Sequence, residues 1–548
     1  MAKEIRIGVL CNGHLWEEWE IRVMEKMLEI PGSRICVLIH PADGRNEAPS
    51  FSVNKITNYP YRKLLWNKCK SFWYAHSLFR KSDCRSRLNI LHSMAVRVHD
   101  LGKNRERIDD EDINRIKECL PDVLFRFGFN ILSGEILHAA PMGVWSFHHA
   151  DAFQIRGGPM AFWEIYHRFK TTGVILQRLN EKLDRGEVLA YRRFGSSLHS
   201  YREQVERTLE YGMDMPAQVL RAMAENRYVK PHYFPLESQS GRLYRLPGNH
   251  EVLFFFIRLF LNRLVFYGNK YFREEHWFVK LVDNRNTNNI KIYKTWKDGY
   301  YADPFVLEEE SGSLSLFTEF FDRRIGKGVL VKFIVDQGSE PVVLLEKDYH
   351  LAYPFVFRSG SDRFLLAEEA CSGKVVLRSF LADGTIGNER VLLNDFAGVD
   401  PTMFFYQGKW WLWCTHLHRG PDEALYLFYA DQPEGPYRAH AANPVKVDIS
   451  CSRPAGRPVI HEGMLYRPAQ DSSETYGGNV VWNQVLVITD KIYQEVPVET
   501  PFAVPKKQKE LGMHHVDLFE YGYVYDLKST RFSFSSLRRK LQDALLSK

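Results

Sequence analysis

The chain has 548 residues, of which 45% are hydrophobic and 26% charged, with a formal net charge of +6 at pH 7. That length exceeds what one hydrophobic core supports and predicts two or three domains of ordinary globular composition. The modest charge comes with no basic run interleaved with aromatics, so nucleic-acid binding is not expected.

Aromatics make up 14% of the chain, with 12 Trp and 27 Tyr, which favours an aromatic-rich β or carbohydrate-facing surface. Eight cysteines are scattered from Cys11 to Cys451 without a CxxC pair. Neither a zinc site nor a disulfide framework follows, and no metal is expected. The first residues lead straight into a strand pattern without a signal peptide, so the expected location is cytoplasmic, with membrane association as an addition.

Residues 5–10, 16–28 and 34–40 read as strand, helix and strand, a βαβ opening that implies a parallel sheet. Residues 60–105 are polar, basic and aromatic, and are expected to be an inserted helical segment. Strand and helix signals resume over 122–147, and helical signals fill 200–226. Residues 252–267 are strongly apolar, interrupted only by Arg258, Asn262 and Arg263. Their spacing of four or five predicts one polar face on an amphipathic helix. Packing between domains is the expected role, with peripheral membrane contact as the alternative. A short basic helix is expected over 531–548.

From about residue 275 helical periodicity gives way to short aromatic strands, and a repeat appears. Its copies are YADPFVL at 301–307, LAYPFVF at 351–357, GVDPTMF at 398–404, AGRPVI at 455–460, and a weaker HVDLF at 515–519. Steps of roughly 50–60 residues match one four-stranded propeller blade. The expected organisation is an α/β Rossmann-like domain over 1–230, a linker with an amphipathic helix over 231–272, and an all-β five-bladed propeller over 273–530.

Residues 120–189 carry an ordered set of short motifs. These are Ile131-Leu132 with Ile136-Leu137, the strand 143–148 ending in His148, Arg156-Gly157-Gly158-Pro159, Thr172-Gly173-Val174, and Leu183-Asp184-Arg185-Gly186. Together they resemble the formyltransferase family that uses 10-formyltetrahydrofolate, including methionyl-tRNA and sugar-amine formyltransferases. The resemblance implies His148 and Asp184 as catalytic groups. It also implies folate contacts from Phe127, Ile131, Leu132, Arg156 and Gly157, and an amine acceptor. One departure matters: Ser146 stands where the family has Asn. An amide that donates to the formyl oxygen is thereby replaced by a shorter hydroxyl, and loss of such a donor costs about 10²–10³ in rate. His149 is a neighbour that could compensate.

The second domain is similar to the glycosidase-like five-bladed domain at the N-terminus of plant glucosamine inositolphosphorylceramide transferases. The matching residues include Ala302-Asp303-Pro304-Phe305, Arg453-Pro454-Ala455-Gly456-Arg457, and Arg467-Pro468-Ala469-Gln470-Asp471 with Tyr476-Gly477-Gly478. The expected pocket comprises Asp303, Glu319, Glu369, Asp400, Arg457, Gln470 and Asp471. Tyr353 takes the place of an acid in the second copy, which favours glycan binding over hydrolysis. Metal binding by His148-His149, His416-x-His418 or His514-His515 is not expected, since no completing carboxylate or Cys lies at ligand spacing. The leading expectation is a formyltransferase with a folate donor and an amino-sugar or sugar-nucleotide acceptor in cell-envelope glycan synthesis. The alternative is a glycoside hydrolase or glycan-binding propeller with a degenerate formyltransferase domain.

Overall fold

The computed structural model describes residues 4–43, 63–73, 77–182, 185–231, 241–285, 289–295, 299–309, 311–335, 340–502, 512–534 and 536–537. The chain divides into two compact units, Met1–Phe266 and Tyr267–Lys548.

In the first unit one sheet runs in the order Glu187–Gly195, Thr171–Arg178, Val144–His148, Val123–Arg126, Ile5–Leu10, Ser33–Pro41 and Ser93–Val96. Pairing is parallel from Val144–His148 to the Ser93–Val96 edge, and antiparallel on the Thr171–Arg178 and Glu187–Gly195 side. Alternate residues of each strand feed two cores, as helix-covered parallel strands must. Ile7, Val9, Phe125 and Trp145 pack with Met24 and Met27 of helix Glu18–Leu28 and with Leu220 of Met215–Ala224. Leu10, Leu124 and Val144 pack with Ile113 and Ile116 of helix Asp110–Glu118. Local sequence fixes where these helices begin. Glu17 and Glu20 form a reciprocal capping box, and the Asp109 side chain accepts from the Glu111 amide.

Two expectations for this unit need correction. The described part of 60–105 is not one helical insertion. It contains helices Leu64–Trp73 and Cys84–Leu88, but also the sheet's edge strand Ser93–Val96. That strand buries only Met94 and Val96, and so lacks the continuous apolar run of a central strand. The long helix Asn249–Phe272 carries its polar residues differently as well. At about 3.6 residues per turn, Asn262 falls on the buried stripe with Val252, Phe255 and Leu259. Its amide donates to Leu198 O at 3.1 Å. Arg258 and Arg263 stand on opposite sides of that stripe, so the three share no single polar face.

Among the described residues the second unit holds five antiparallel sheets. Four follow chain order: Gly299–Glu308 to Val342–Leu345, Ala352–Ser359 to Ile386–Leu393, Gly398–Tyr406 to Arg438–Ala439, and Val459–His461 to Tyr493–Val498. The fifth joins both ends of the unit. Strand Arg273–Asp283 pairs along its whole length with Gly522–Phe532, flanked by Asn289–Tyr293 and Val516–Phe519. Sheet closure by the two ends of the unit explains why the fifth copy of the repeat is short.

The repeat marks the first strand of each sheet, or the segment leading into it, and these segments meet. Tyr353 shares a hydrogen bond with Thr402 at 2.8 Å and accepts one from the Gly456 amide at 2.9 Å. The Val306 amide donates to Asp517 Oδ2 at 2.9 Å, and Arg457 donates to Val356 O at 2.7 Å. In three of these strands the ladder register shifts at the repeat's third residue, and Asp303, Tyr353 and Asp400 there have φ of 51°, 48° and 49°. Left-handed backbone at a non-glycine residue costs about 1–3 kcal/mol and is characteristic of sites where side chains are deliberately re-aimed.

Candidate functional site

The three bulges turn side chains toward the centre where the first strands meet. Asp303, Glu319 and Asp400 are all buried there. Burial pushes the Asp303 and Asp400 carboxyls up to about 7, and Glu319 goes well above the usual carboxylate range for the same reason, reinforced by Asp303. Arg453 is the main counter-charge. Its Nε donates to Asp400 Oδ2 at 2.6 Å, its Nη1 reaches Asp422 at 3.1 Å, and its guanidinium lies over the Tyr476 ring. Gln470 Nε2 donates to the same Asp400 oxygen at 2.9 Å, and Glu368 accepts from the Asp400 amide at 3.1 Å.

Two acceptors in this centre make no hydrogen bond: Glu319 Oε1, with His350 Nε2 3.8 Å away, and Gln470 Oε1. Buried acceptors without donors are costly, by about 1–3 kcal/mol each, and call for a donor from water, an ion or a ligand. His350 and Tyr476 beside them are partly exposed. The arrangement can therefore accept hydrogen bonds from a polar ligand, donate from protonated carboxyls near neutral pH, and hold one proton among several acids.

In the segment leading into Val516–Phe519, His514 Nδ1 stands 2.6 Å from Oδ2 of Asp526 on the closing strand Gly522–Phe532, and His514 Nε2 stands 3.7 Å from Asp303. Burial works against the imidazolium, but Asp526 and Asp303 outweigh it and hold the His514 pKa above the ordinary histidine value. The ligand atoms of Asp303, His514 and Asp526 lie within 4.8 Å of one another, a group that could hold a metal ion. Sequence spacing offers His514 no completing carboxylate, whereas the fold supplies two.

Of the seven pocket residues expected here, Asp303, Glu319, Asp400 and Gln470 come together. Arg457 belongs to the junction beside them, donating to Asp517 at 3.0 Å. Glu369 does not join: both its oxygens accept from Arg378, at 2.9 and 3.1 Å, and Tyr349 adds a third bond. Its neighbour Glu368 faces the centre instead, because adjacent residues point to opposite sides. Asp471 is spent on its own turn, accepting from the Ser473 amide and hydroxyl. Sequence reasoning missed Glu368, Asp526 and the role of Arg453, although Arg453 and Tyr476 stand inside the motifs that carried the resemblance.

In the first unit, Ser146 and His148 share one side of strand Val144–His148, at the carboxyl edge of the sheet. Arg126 Nη1 donates to Ser146 Oγ at 3.0 Å, and His148 Nε2 donates to Ile155 O at 2.8 Å. His149 stacks on Phe147, and burial with the nearby His148 holds its pKa down at about 3. Asp184 lies outside the described residues. Leu132 is buried in a core cluster, and Ile131 pairs with Arg105. Phe127 packs in an aromatic group with Trp16, Trp19 and Phe125. Arg156 donates to Gly241 O at 2.7 Å, and a side chain at Gly157 would meet Tyr244 O, so both residues build the loop. Sequence reasoning also missed Glu164, buried with neither oxygen hydrogen-bonded and pushed up to about 8 by its burial.

A family model described as glucosamine inositolphosphorylceramide transferase 1, N-terminal, matches residues 290–521. The chain is similar to glucosamine inositolphosphorylceramide transferase 1 of Oryza sativa subsp. japonica. The two are 34% identical over 268 residues, covering 45% of this chain and 35% of the relative. The protein of the same name from Arabidopsis thaliana is 29% identical over 234 residues, covering 40% and 30%. The chain thus spans about a third of the length of the curated relatives it matches. Solved structures with local likeness include a glycinamide ribonucleotide transformylase from Symbiobacterium toebii. It is 16% identical with a TM-score of 0.28, covering 41% of this chain and 89% of that one. A thermostable family-43 glycoside hydrolase is 14% identical with a TM-score of 0.30, covering 38% and 78%. At these scores the likeness carries no conclusion about function.

These matches overturn three expectations. The curated relatives are named as transferases of inositolphosphorylceramide, not as folate-dependent formyltransferases, so formyl transfer is withdrawn. The 10-formyltetrahydrofolate donor and the amino-sugar acceptor go with it. The cytoplasmic placement is corrected too, since the relatives are named for a ceramide lipid. No helix among the described residues is long and apolar enough to cross a membrane.

Proposed function

We propose that the five sheets are the blades of a five-bladed β-propeller, and that its centre binds a sugar. The protein, on this reading, is a transferase acting on inositolphosphorylceramide, the lipid its relatives' names give. The observation that carries the sugar site is the pair of buried, undonated acceptors, Glu319 Oε1 and Gln470 Oε1, beside Asp303 and Asp400. A carboxyl-rich centre whose Arg453 is already paired with Asp400 and Asp422 suits a neutral or amine-bearing, hydroxyl-rich ring better than a phosphate. The site therefore takes the sugar rather than the phosphate of such a lipid.

Thermal unfolding of the full chain with glucosamine, glucose or myo-inositol 1-phosphate tests the site. A ligand at one hundred times its Kd adds about 2.7 kcal/mol, roughly 2–5 °C in a chain of this size. A saturable rise with a sugar, none with the phosphate, and loss of the rise in Glu319→Gln are expected. A rise with phosphate alone, or no saturable rise at all, overturns the reading. Transfer is tested by mass spectrometry of inositolphosphorylceramide incubated with the protein and an activated glucosamine nucleotide. No sugar mass gained on the lipid overturns the transferase assignment.

A further inference from the structure

The helix Asn249–Phe272 presents an apolar surface outward rather than inward. Leu253, Phe254, Phe256, Ile257, Phe260, Leu261, Leu264 and Val265 are each between 42% and 61% exposed. At about 100° per residue, these eight positions occupy one continuous half of the helix, and no charged residue interrupts it. The opposite stripe is anchored to the first unit. Phe255 stacks on Phe162 with ring centroids 4.5 Å apart, and Val252 and Leu259 belong to the same buried cluster. The anchoring fixes which half faces outward. Eight half-exposed large apolar side chains in one block exceed the few hundred Å² of apolar patch that a soluble monomer normally shows.

The two edges of this outward half are cationic. Arg258 stands at one edge with its guanidinium over the Tyr166 ring, and the nearby His167 is held below the ordinary histidine value by its burial, with Arg258 and Arg242 adding to it. Arg263 stands at the other, donating to His199 O at 3.0 Å, in a mixed group where Arg207 also acts on that histidine and Glu203 lies 3.2 Å from its Nε2. From residue 252 to 269 the helix contains no Asp or Glu. A second copy packed on this face would bring the arginines of the two helices together with no acid on either apolar segment to pair them. A coiled-coil seam would also be narrower than half the circumference and flanked by paired charges. An apolar half-cylinder bordered by arginines, on a helix that does not span, is the geometry of an element lying in a lipid interface.

We propose that this helix docks the protein on an anionic lipid surface, with Phe254, Ile257, Phe260 and Leu264 immersed and Arg258 and Arg263 at the phosphate level. The proposal is independent of the sugar site. Its test is co-sedimentation of the full chain with vesicles of phosphatidylcholine alone or with 30% phosphatidylserine, about what gives a strongly anionic surface. Binding at least tenfold tighter to the anionic vesicles, weakened about tenfold by 0.5 M salt, is expected. The double variant Phe260→Glu, Leu264→Glu should lose it at least tenfold while keeping its circular dichroism and melting temperature. Phe260→Ser with Leu264→Ser is a milder second variant. Failure of the unaltered chain to bind either vesicle overturns the proposal, as does undiminished binding by both folded variants. A dimer in size exclusion that both variants dissociate, without vesicle binding, assigns the face to a second copy instead.

Discussion

Arg453 Nε sits 2.6 Å from Asp400 Oδ2, and its Nη2 reaches the other oxygen of the same carboxylate at 3.3 Å. This fork bridges the segment leading into the fourth sheet and the first strand of the third. It gives the acidic centre its principal positive charge.

Removing that charge should be expensive. Arg453→Met leaves Asp400 facing Glu368 with only Gln470 as donor, and breaking a buried pair from one side costs about 3–5 kcal/mol. Urea unfolding should show that loss in Arg453→Met. Arg453→Lys should recover part of it, because a lysine restores charge but not the two-pronged geometry. Equal stability of the two variants would mean that the charge contributes nothing.

The raised carboxyls make stability depend on pH with a definite sign. Asp303 and Asp400 hold their protons up to about 7 in the folded protein, whereas an unfolded Asp loses its proton near 3.9. Between those values the folded state binds more protons, so stability falls as pH rises from about 4 to 7. Asp303→Asn removes one such group. Its melting temperature relative to the unaltered protein should therefore climb from pH 5 to pH 8, and a flat difference would contradict the assignment.

Glu368 and Glu369 should separate binding from folding. Glu369 and Arg378 are both almost wholly buried and bonded twice, so Glu369→Gln should cost about 3 kcal/mol or more. It should leave the affinity for sugar within a factor of two. Glu368→Gln should weaken sugar binding while changing stability less. Reversed outcomes, read by denaturation and calorimetry, would relocate the pocket.

In the first unit, Glu164 is buried without a hydrogen-bond donor and pushed up to about 8. Its unfolded value is near 4.3, so it too erodes stability as pH rises through that interval. Glu164→Gln should be nearly neutral at pH 5 and stabilising at pH 9 in thermal unfolding. A variant destabilised equally at both would show that the carboxyl has a partner in solution.

The succession of sheets in the second unit was legible because the repeat recurs at or just before the first strand of each, and in three of them Asp303, Tyr353 and Asp400 occupy the same bulged position. What the motif does not encode is side-chain direction. Glu368 and Glu369 are adjacent acids, and alternation along the chain turns only one of them toward the centre. His514 and Asp526 were illegible as partners of Asp303, because sheet closure brings them in from the far end of the unit. Asp471 misled for a local reason: an acid two residues before a serine is equally suited to capping a turn. In the first unit the strand and helix pattern was readable through Ile7, Val9 and Phe125. The half-buried Ser93–Val96 edge, by contrast, gave too weak an alternation.

The central claim is that Glu319 and its neighbours form a sugar site while Asp471 serves only its turn. Titration calorimetry of glucosamine into the full chain tests it most directly, comparing Glu319→Gln with Asp471→Asn. The predicted result is saturable binding in the unaltered protein, at least tenfold weaker in Glu319→Gln and unchanged in Asp471→Asn. Binding that survives in Glu319→Gln, or that is absent from the unaltered protein, would contradict the account.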